Sequence, residues 1–369
     1  MMRRLAFPAL GLLLLASCGP NAREAAERAA GGPAAVPVVP VAMETSAPGG
    51  TLVDADDPVL WADPANPSRA LLIGTDKSTG LYVHDLSGQV LQFFPAGPLN
   101  NVDLRPFPVA GRPTVLVAAA ERERFGIATW LLDPATMRLS DYGYLPTPPA
   151  FGEPYGFCMG QWGGDTYLVA NNKEGEVLAF RMTAGATGPA MALAHRWKLA
   201  TQTEGCVVDD ATGTLFVGEE DAGIWRMSLA RPAQAPVKVA SVDGTRLVAD
   251  VEGLTLMRDG GQTFLIASSQ GDSAFAVWKV TPEALEPQGR FRIGGGAADP
   301  VTQTDGLDAW SGPIGRFPDG ALAVHDHCDG ADAADPDAAT CDSDDKQQNY
   351  KLVDWRNVRA ALGIQPPRG

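Results

Sequence analysis

The chain has 369 residues and carries 44 acidic against 29 basic side chains, a net charge of −15 with pI ≈ 4.7. That balance excludes nucleic acid as a natural partner, and a polyanionic substrate fits only if bound cations reverse the local sign. Plentiful Gly, aromatic and β-branched residues, with no long amphipathic helix before the last segment, predict an all-β fold.

Residues 1–18 read as an export signal outside the fold. Arg3 and Arg4 give a basic start, and residues 10–16 form an apolar stretch too short to span a bilayer. Leu15-Ala16-Ser17-Cys18 looks like a bacterial lipobox, so Cys18 is expected to be lipidated. The alternative is an ordinary signal peptide cut near Ala16. The expected location is the cell envelope, in the outer membrane and facing periplasm or medium, with the membrane touched only through this anchor. Residues 19–47 are rich in Ala, Pro and Val without periodicity and read as a disordered tether. Residues 48–369 then form the folded domain, expected to be a monomer.

Asp54-Ala55-Asp56-Asp57-Pro58-Val59-Leu60-Trp61 opens that domain. Three carboxylates within four positions stay ionised together only if cations gather them, and hard oxygen ligands suit calcium. A solvated acidic turn is the bland reading. Similar oxygen-rich turns recur, however, always beside a strand.

The strands recur too. Leu81-Tyr82-Val83, Thr129-Trp130-Leu131, Val177-Leu178-Ala179-Phe180, Gly223-Ile224-Trp225 and Phe275-Ala276-Val277-Trp278 share a bulky or aromatic centre. Their spacing of roughly 46 to 52 residues matches one four-stranded propeller blade. A sixth, Tyr350-Lys351-Leu352-Val353, completes the set. The expectation is a six-bladed β-propeller of four-stranded antiparallel blades, one of them closed by strands from both termini. A β-sandwich or two smaller β domains is the competing architecture.

Polar turns fall in one phase of this repeat, which in a propeller is one face. Glu204, Glu220, Asp250, Glu252, Gln270 and Asp305 offer oxygens of the kind calcium takes in sixes to eights. Lys77, Arg122, Lys173 and Tyr155 are phosphate-binding donors. A Gly after the acidic residue, as in Glu204-Gly205 and Glu252-Gly253, reads as a tight turn that lets backbone approach an ion. Taken singly, each is an ordinary turn or a solvated charge; only the combination points to a site. Besides Cys18, the cysteines are Cys158, Cys206, Cys328 and Cys341, an even number in an exported chain. Of three pairings, Cys158–Cys206 in adjacent repeats and Cys328–Cys341 across the insert between them are favoured. His84 and His195 read as surface residues. A zinc site of His325 and His327 with Cys328 and Cys341 is the lesser reading beside the disulfide.

The sequence resembles the β-propeller phytases, the calcium-dependent alkaline phytases of bacteria. The opening acidic turn and Asn100-Asn101-Val102-Asp103-Leu104-Arg105 are similar to that family's two signature motifs. Tyr155-Gly156-Phe157, Lys173-Glu174-Gly175-Glu176, Gln202-Thr203-Glu204-Gly205, Asp250-Val251-Glu252-Gly253, Ser268-Ser269-Gln270-Gly271 and Thr304-Asp305-Gly306-Leu307-Asp308 match in order. The resemblance implies a 3-phytase-type phosphoric monoester hydrolase acting on myo-inositol hexakisphosphate as calcium phytate, and on other inositol phosphates. It implies several Ca2+ ions and direct attack by a calcium-bridged water, without a phosphoenzyme. Catalytic roles would fall to Lys77, Arg122, Tyr155, Lys173, Glu204, Asp250 and Asp305. Lys77, Arg122, Tyr155 and Lys173 would hold phosphate at a cleavage site and an adjacent second site. Asp56, Glu204, Glu220, Asp250, Glu252, Gln270 and Asp305 would hold the active-site ions, and Asp57, Asp299 and Asp326 structural ones.

The chain departs from the family at Glu121-Arg122-Glu123, at Asn171-Asn172 and in an acidic insertion over residues 329–345. Two rivals remain: a calcium-dependent propeller lactonase or esterase, and a non-catalytic calcium-stabilised binding propeller. A lactonase site needs few ions and no convergent cations, so Lys77, Arg122 and Lys173 speak against it.

Overall fold

The computed structural model describes residues 36–46, 54–185, 188–296, 298–330 and 347–365. Cys18, Cys341, the lipobox and residues 331–345 of the acidic insertion lie outside them. Among the described residues no helix is long and apolar enough to cross a membrane.

Each repeat folds as a sheet whose strands follow one another in sequence order. Blade 1 covers residues 55–94, blade 2 residues 99–146, blade 3 residues 157–198, blade 4 residues 203–241 and blade 5 residues 251–296. Blade 6 is built from Leu307–Ser311, Gly320–Asp326 and Asn349–Asp354, with Met43–Glu44 as its outer strand. The first strands of successive blades touch one another in a closed ring, and the last, Leu307–Ser311, touches the first, Ala55–Asp63. The result is a six-bladed β-propeller. The aromatic strands singled out by spacing are the third strand of every blade.

The apolar core is divided among the blade interfaces. Six clusters each join two neighbouring blades, the last joining blade 6 to blade 1. Side-chain alternation along the strand makes this possible. In blade 1, Leu71 and Ile73 face blade 2, while Leu72 faces blade 6. A strand covered on both faces has no polar side, which is why Val115–Glu121 is buried throughout.

Two features differ from the sequence reading. Val38–Val41 and Met43–Glu44, assigned to the tether, are strands. Val38–Val41 pairs parallel with Leu285–Gly296 and makes blade 5 five-stranded. Met43–Glu44 pairs antiparallel with Asn349–Asp354 and closes blade 6, as expected of a strand from the N-terminal side. His84 is buried, not on the surface: its ring meets Tyr350 edge-on and burial pushes its pKa down to about 4. His195 is half-buried against Tyr167 and Trp197.

The Cys158–Cys206 disulfide is present and ties the inner strand of blade 3 to that of blade 4. Cys328 is disulfide-bonded as well, which removes it from any zinc site.

Candidate active site

The inner strands start on one face of the ring, where the second strands end. Four inner strands open with an irregularity in pairing, at residues 55–58, 99–102, 203–206 and 251–254. A bulge of this kind re-aims side chains. One residue per blade thereby occupies an equivalent place at or just before the strand start: Asp56, Asn100, Tyr155, Glu204, Glu252 and Asp305. Their side chains meet. Asn100 Nδ2 donates to Glu204 Oε1 at 2.8 Å. Glu204 is in side-chain hydrogen-bond contact with both Glu252 and Tyr155. Asp56 and Asp305 share Lys77, whose Nζ lies 3.0 Å from Asp56 Oδ1 and 2.6 Å from Asp305 Oδ2.

The residue after each of these governs how closely the strands approach. A Cβ on Gly156 would stand 1.9 Å from the Glu204 carbonyl, and one on Gly205 would stand 2.0 Å from that of Glu252. Gly253 N donates to Asp305 O at 2.7 Å, and a Cβ on Gly306 would meet Asp57. These glycines let neighbouring inner strands pack backbone to backbone. Their φ angles are ordinary, so the tight-turn explanation does not hold at these positions.

A second tier comes from the ends of the second strands, and it too follows a rule. Asp76 accepts from Ser78 N and Thr79 N, Glu121 from Glu123 N and Arg124 N, and Asn172 from Glu176 N. Glu219 accepts from Ala200 N, Thr201 N and Trp225 Nε1. Each of these buried groups satisfies the backbone of a turn. The next residue in each case is one of the expected site residues: Lys77, Arg122, Lys173 and Glu220. In blade 5 the equivalent is Gln270, whose Nε2 donates to Asp305 Oδ1 at 2.6 Å.

The site divides by charge. Glu204, Glu220 and Glu252 bring carboxylate oxygens within 4.8 Å of one another. All three are buried, and burial is the main reason each pKa is raised, Glu220 to about 7. Asp56 is raised by burial, against the pull of Lys77. At Asp305 burial is outweighed by Lys77 and the neighbouring His residues, and its pKa falls to about 2. On the other side of the mouth, Arg122 Cζ lies 5.5 Å and Lys173 Nζ 4.4 Å from the centre of the Tyr155 ring. Farther along the inner strands the channel holds a mainly apolar cavity of about 610 Å³, lined in part by Trp61, Leu104, Leu256 and Trp310.

A model of the phytase family matches residues 5–367 of this chain. It belongs to the phytase family. The chain is also 32% identical over 333 residues to a 3-phytase from Bacillus subtilis (strain 168), covering 85% of this chain and 82% of the relative. Membership makes it a phosphoric monoester hydrolase. Among solved structures, a luciferin-regenerating enzyme is similar over 83% of this chain and 92% of its own, with a TM-score of 0.49 and 12% identity, too remote to bear on function.

Against this family background, Asp56, Lys77, Glu204, Glu220, Glu252, Gln270 and Asp305 converge on one face, with Arg122, Tyr155 and Lys173 beside them. Asp250 is half-buried; its backbone O accepts from Gln270 N, and its charge helps raise Glu220. Asp57 points along the channel, where one oxygen accepts from Val102 N at 2.9 Å. Asp326 ends the second strand of blade 6 and Asp299 lies in the connection before that blade, with the buried Lys351 Nζ 2.7 Å and 2.5 Å from their carboxylates. Glu44, Asp299 and Asp329 could together hold an ion.

Sequence reasoning assigned three residues no role in this site. Asn100 entered only within a signature-like motif, and His325 only in the zinc alternative. Glu153 bridges Arg122 and Lys173. His325 lies directly behind Asp305: its Nδ1 accepts from Asp305 N at 3.1 Å, which leaves Nε2 to donate to Gln348 Oε1 at 3.2 Å. Burial holds this imidazole neutral, its pKa pushed down to about 4.

Proposed function

We propose that this chain is a calcium-dependent phytase that hydrolyses calcium phytate and lower inositol phosphates at the ring of Asp56, Glu204, Glu252 and Asp305. The observation that carries the proposal is a group of buried carboxylates with unpartnered oxygens and a single ammonium, Lys77, to offset their charge. Asp56 Oδ2 and Glu252 Oε2 are buried without any hydrogen-bond partner, and Glu204 and Glu252 face each other carboxyl to carboxyl. Buried carboxylates left this way are costly unless a cation joins them. The donors are all hard oxygens, which fits Ca2+ and not a softer metal.

Asp56, Glu204, Glu220, Asp250, Glu252, Gln270 and Asp305 would hold those ions. Bound there, calcium supplies Lewis-acid polarisation of phosphoryl oxygens and activation of water. The chain's own cations do the rest. Lys77 is fixed between two carboxylates and offers its charge to the transferring phosphoryl group. Arg122 gives a planar fork and Lys173 a point charge, both over the Tyr155 face, to hold a phosphate while another reacts. Asp57 and Asp326, together with Asp299 in its group with Glu44 and Asp329, are proposed ligands of structural ions. Lipidation at Cys18 and attachment to the cell envelope are likewise proposed from the lipobox.

The test compares substrates at fixed calcium. Phosphate release from calcium phytate, with no turnover of lactones or aryl esters, is the expected outcome. Ester or lactone hydrolysis without phosphate release would favour the lactonase reading, and neither activity would favour a binding propeller.

A further inference from the structure

The acidic neighbour of the phosphate-binding cations has no part in the reading above. Glu153 stands two residues before Tyr155 in the loop leading into the inner strand of blade 3. Its Oε1 lies 2.6 Å from Arg122 Nε in blade 2 and 3.8 Å from Lys173 Nζ in blade 3. The Tyr155 ring lies against both cations. One carboxylate oxygen thus sits where two cations from different blades converge on an aromatic face. All three charged side chains are only partly buried, between 25% and 40% exposed, so a solute reaches them from the mouth.

We propose that Glu153 is a resident anion: it occupies the Arg122–Lys173 subsite in the substrate-free protein, and a substrate phosphate must displace it. Two like charges held side by side repel, and Glu153 relieves this while the subsite is empty. A phosphate dianion carries more charge than a carboxylate and offers several oxygens to the Arg fork, so it wins the exchange. A monoanionic carboxylate solute gains nothing over the one already in place. Glu153 therefore imposes the same displacement cost on every anion at this subsite, so that only an anion bound as strongly as phosphate fills it.

This inference rests on the reading of Arg122 and Lys173 as phosphate binders. Its test needs no turnover. Inorganic phosphate is titrated into calcium-loaded parent, Glu153→Gln and Arg122→Ala/Glu153→Gln, with each variant's melting temperature checked against the parent. The expectation is binding roughly 5-fold tighter in Glu153→Gln, the scale set by a partly exposed ion pair. In the double variant the gain disappears, because the fork that Glu153 competes for is gone. With calcium phytate as substrate, KM should fall in Glu153→Gln while kcat changes less. A mere structural prop would instead raise KM when neutralised. Unchanged or weaker phosphate binding by Glu153→Gln, or a gain that persists without Arg122, overturns the inference. Failure of the phytase reading shows separately, as absence of phosphate release by the parent.

Discussion

Lys77 is the residue on which the two halves of the site meet. Its ammonium is largely buried and paired with Asp56 and Asp305, so it offsets charge in the carboxylate ring, and in the proposed reaction it also faces substrate. Lys77→Ala should cut kcat by roughly 10²- to 10³-fold, the scale of a lost transition-state donor. It should also destabilise the calcium-free protein by on the order of 3 kcal/mol, because two buried carboxylates lose their countercharge. Calcium should restore much of that loss, since it supplies positive charge to the same oxygens. Urea denaturation with calcium and with EGTA measures both halves; equal destabilisation in the two conditions would separate Lys77 from the ion site. Glu220 adds a pH dependence. Burial pushes its pKa from 4.5 up to about 7. The folded, calcium-free chain then holds a proton that the unfolded chain releases, so stability is highest below that interval and falls as pH rises from 4.5 to 7. Bound calcium displaces the proton and flattens the slope. Melting temperature against pH, with and without EGTA, reads the difference.

At the scale of elements, the blades are joined by core clusters, by backbone contact at glycines and by one disulfide across blades 3 and 4. Gly205→Ala forces a methyl group to 2.0 Å from the Glu252 carbonyl. It should cost about 1–3 kcal/mol, as overpacking does, and weaken calcium binding because Glu204 and Glu252 move apart. Calorimetric titration of calcium checks the second effect. The Cys158–Cys206 bridge spans 48 residues, for which chain entropy gives about 4 kcal/mol, so Cys158→Ser/Cys206→Ser should lower denaturation free energy by up to that amount. The blades were legible because the third strands of blades 1 to 5 carry an aromatic or bulky centre at a nearly constant interval, the sixth being set farther on by the acidic insertion. The strand Val38–Val41 was not: four residues with a proline carry no period, and its partner lies some 250 residues away. Nor does local pattern distinguish a glycine that serves a turn from one that admits a neighbouring strand. Oxygen donors and cations were visible as residue types, whereas Asn100 and Glu204 meet only through ring closure, 104 positions apart.

The whole molecule is an acidic body, net −15, that must attract a polyanion. Its ring gathers carboxylates from four of the six blades, Asp56, Glu204, Glu252 and Asp305, into positions that repel one another without a cation. In the proposed reading calcium links folding, charge and catalysis, and long-range attraction of phosphate would depend on the ions being bound. The most direct measurement is phosphate release from myo-inositol hexakisphosphate by EGTA-stripped protein across a calcium titration, with parent and Glu204→Gln side by side. The account predicts no release without calcium, full recovery in the parent as calcium is restored, and a shift of the variant's curve to higher calcium with a lower ceiling. Release by the stripped parent, or a variant whose curve overlays the parent's, would contradict it.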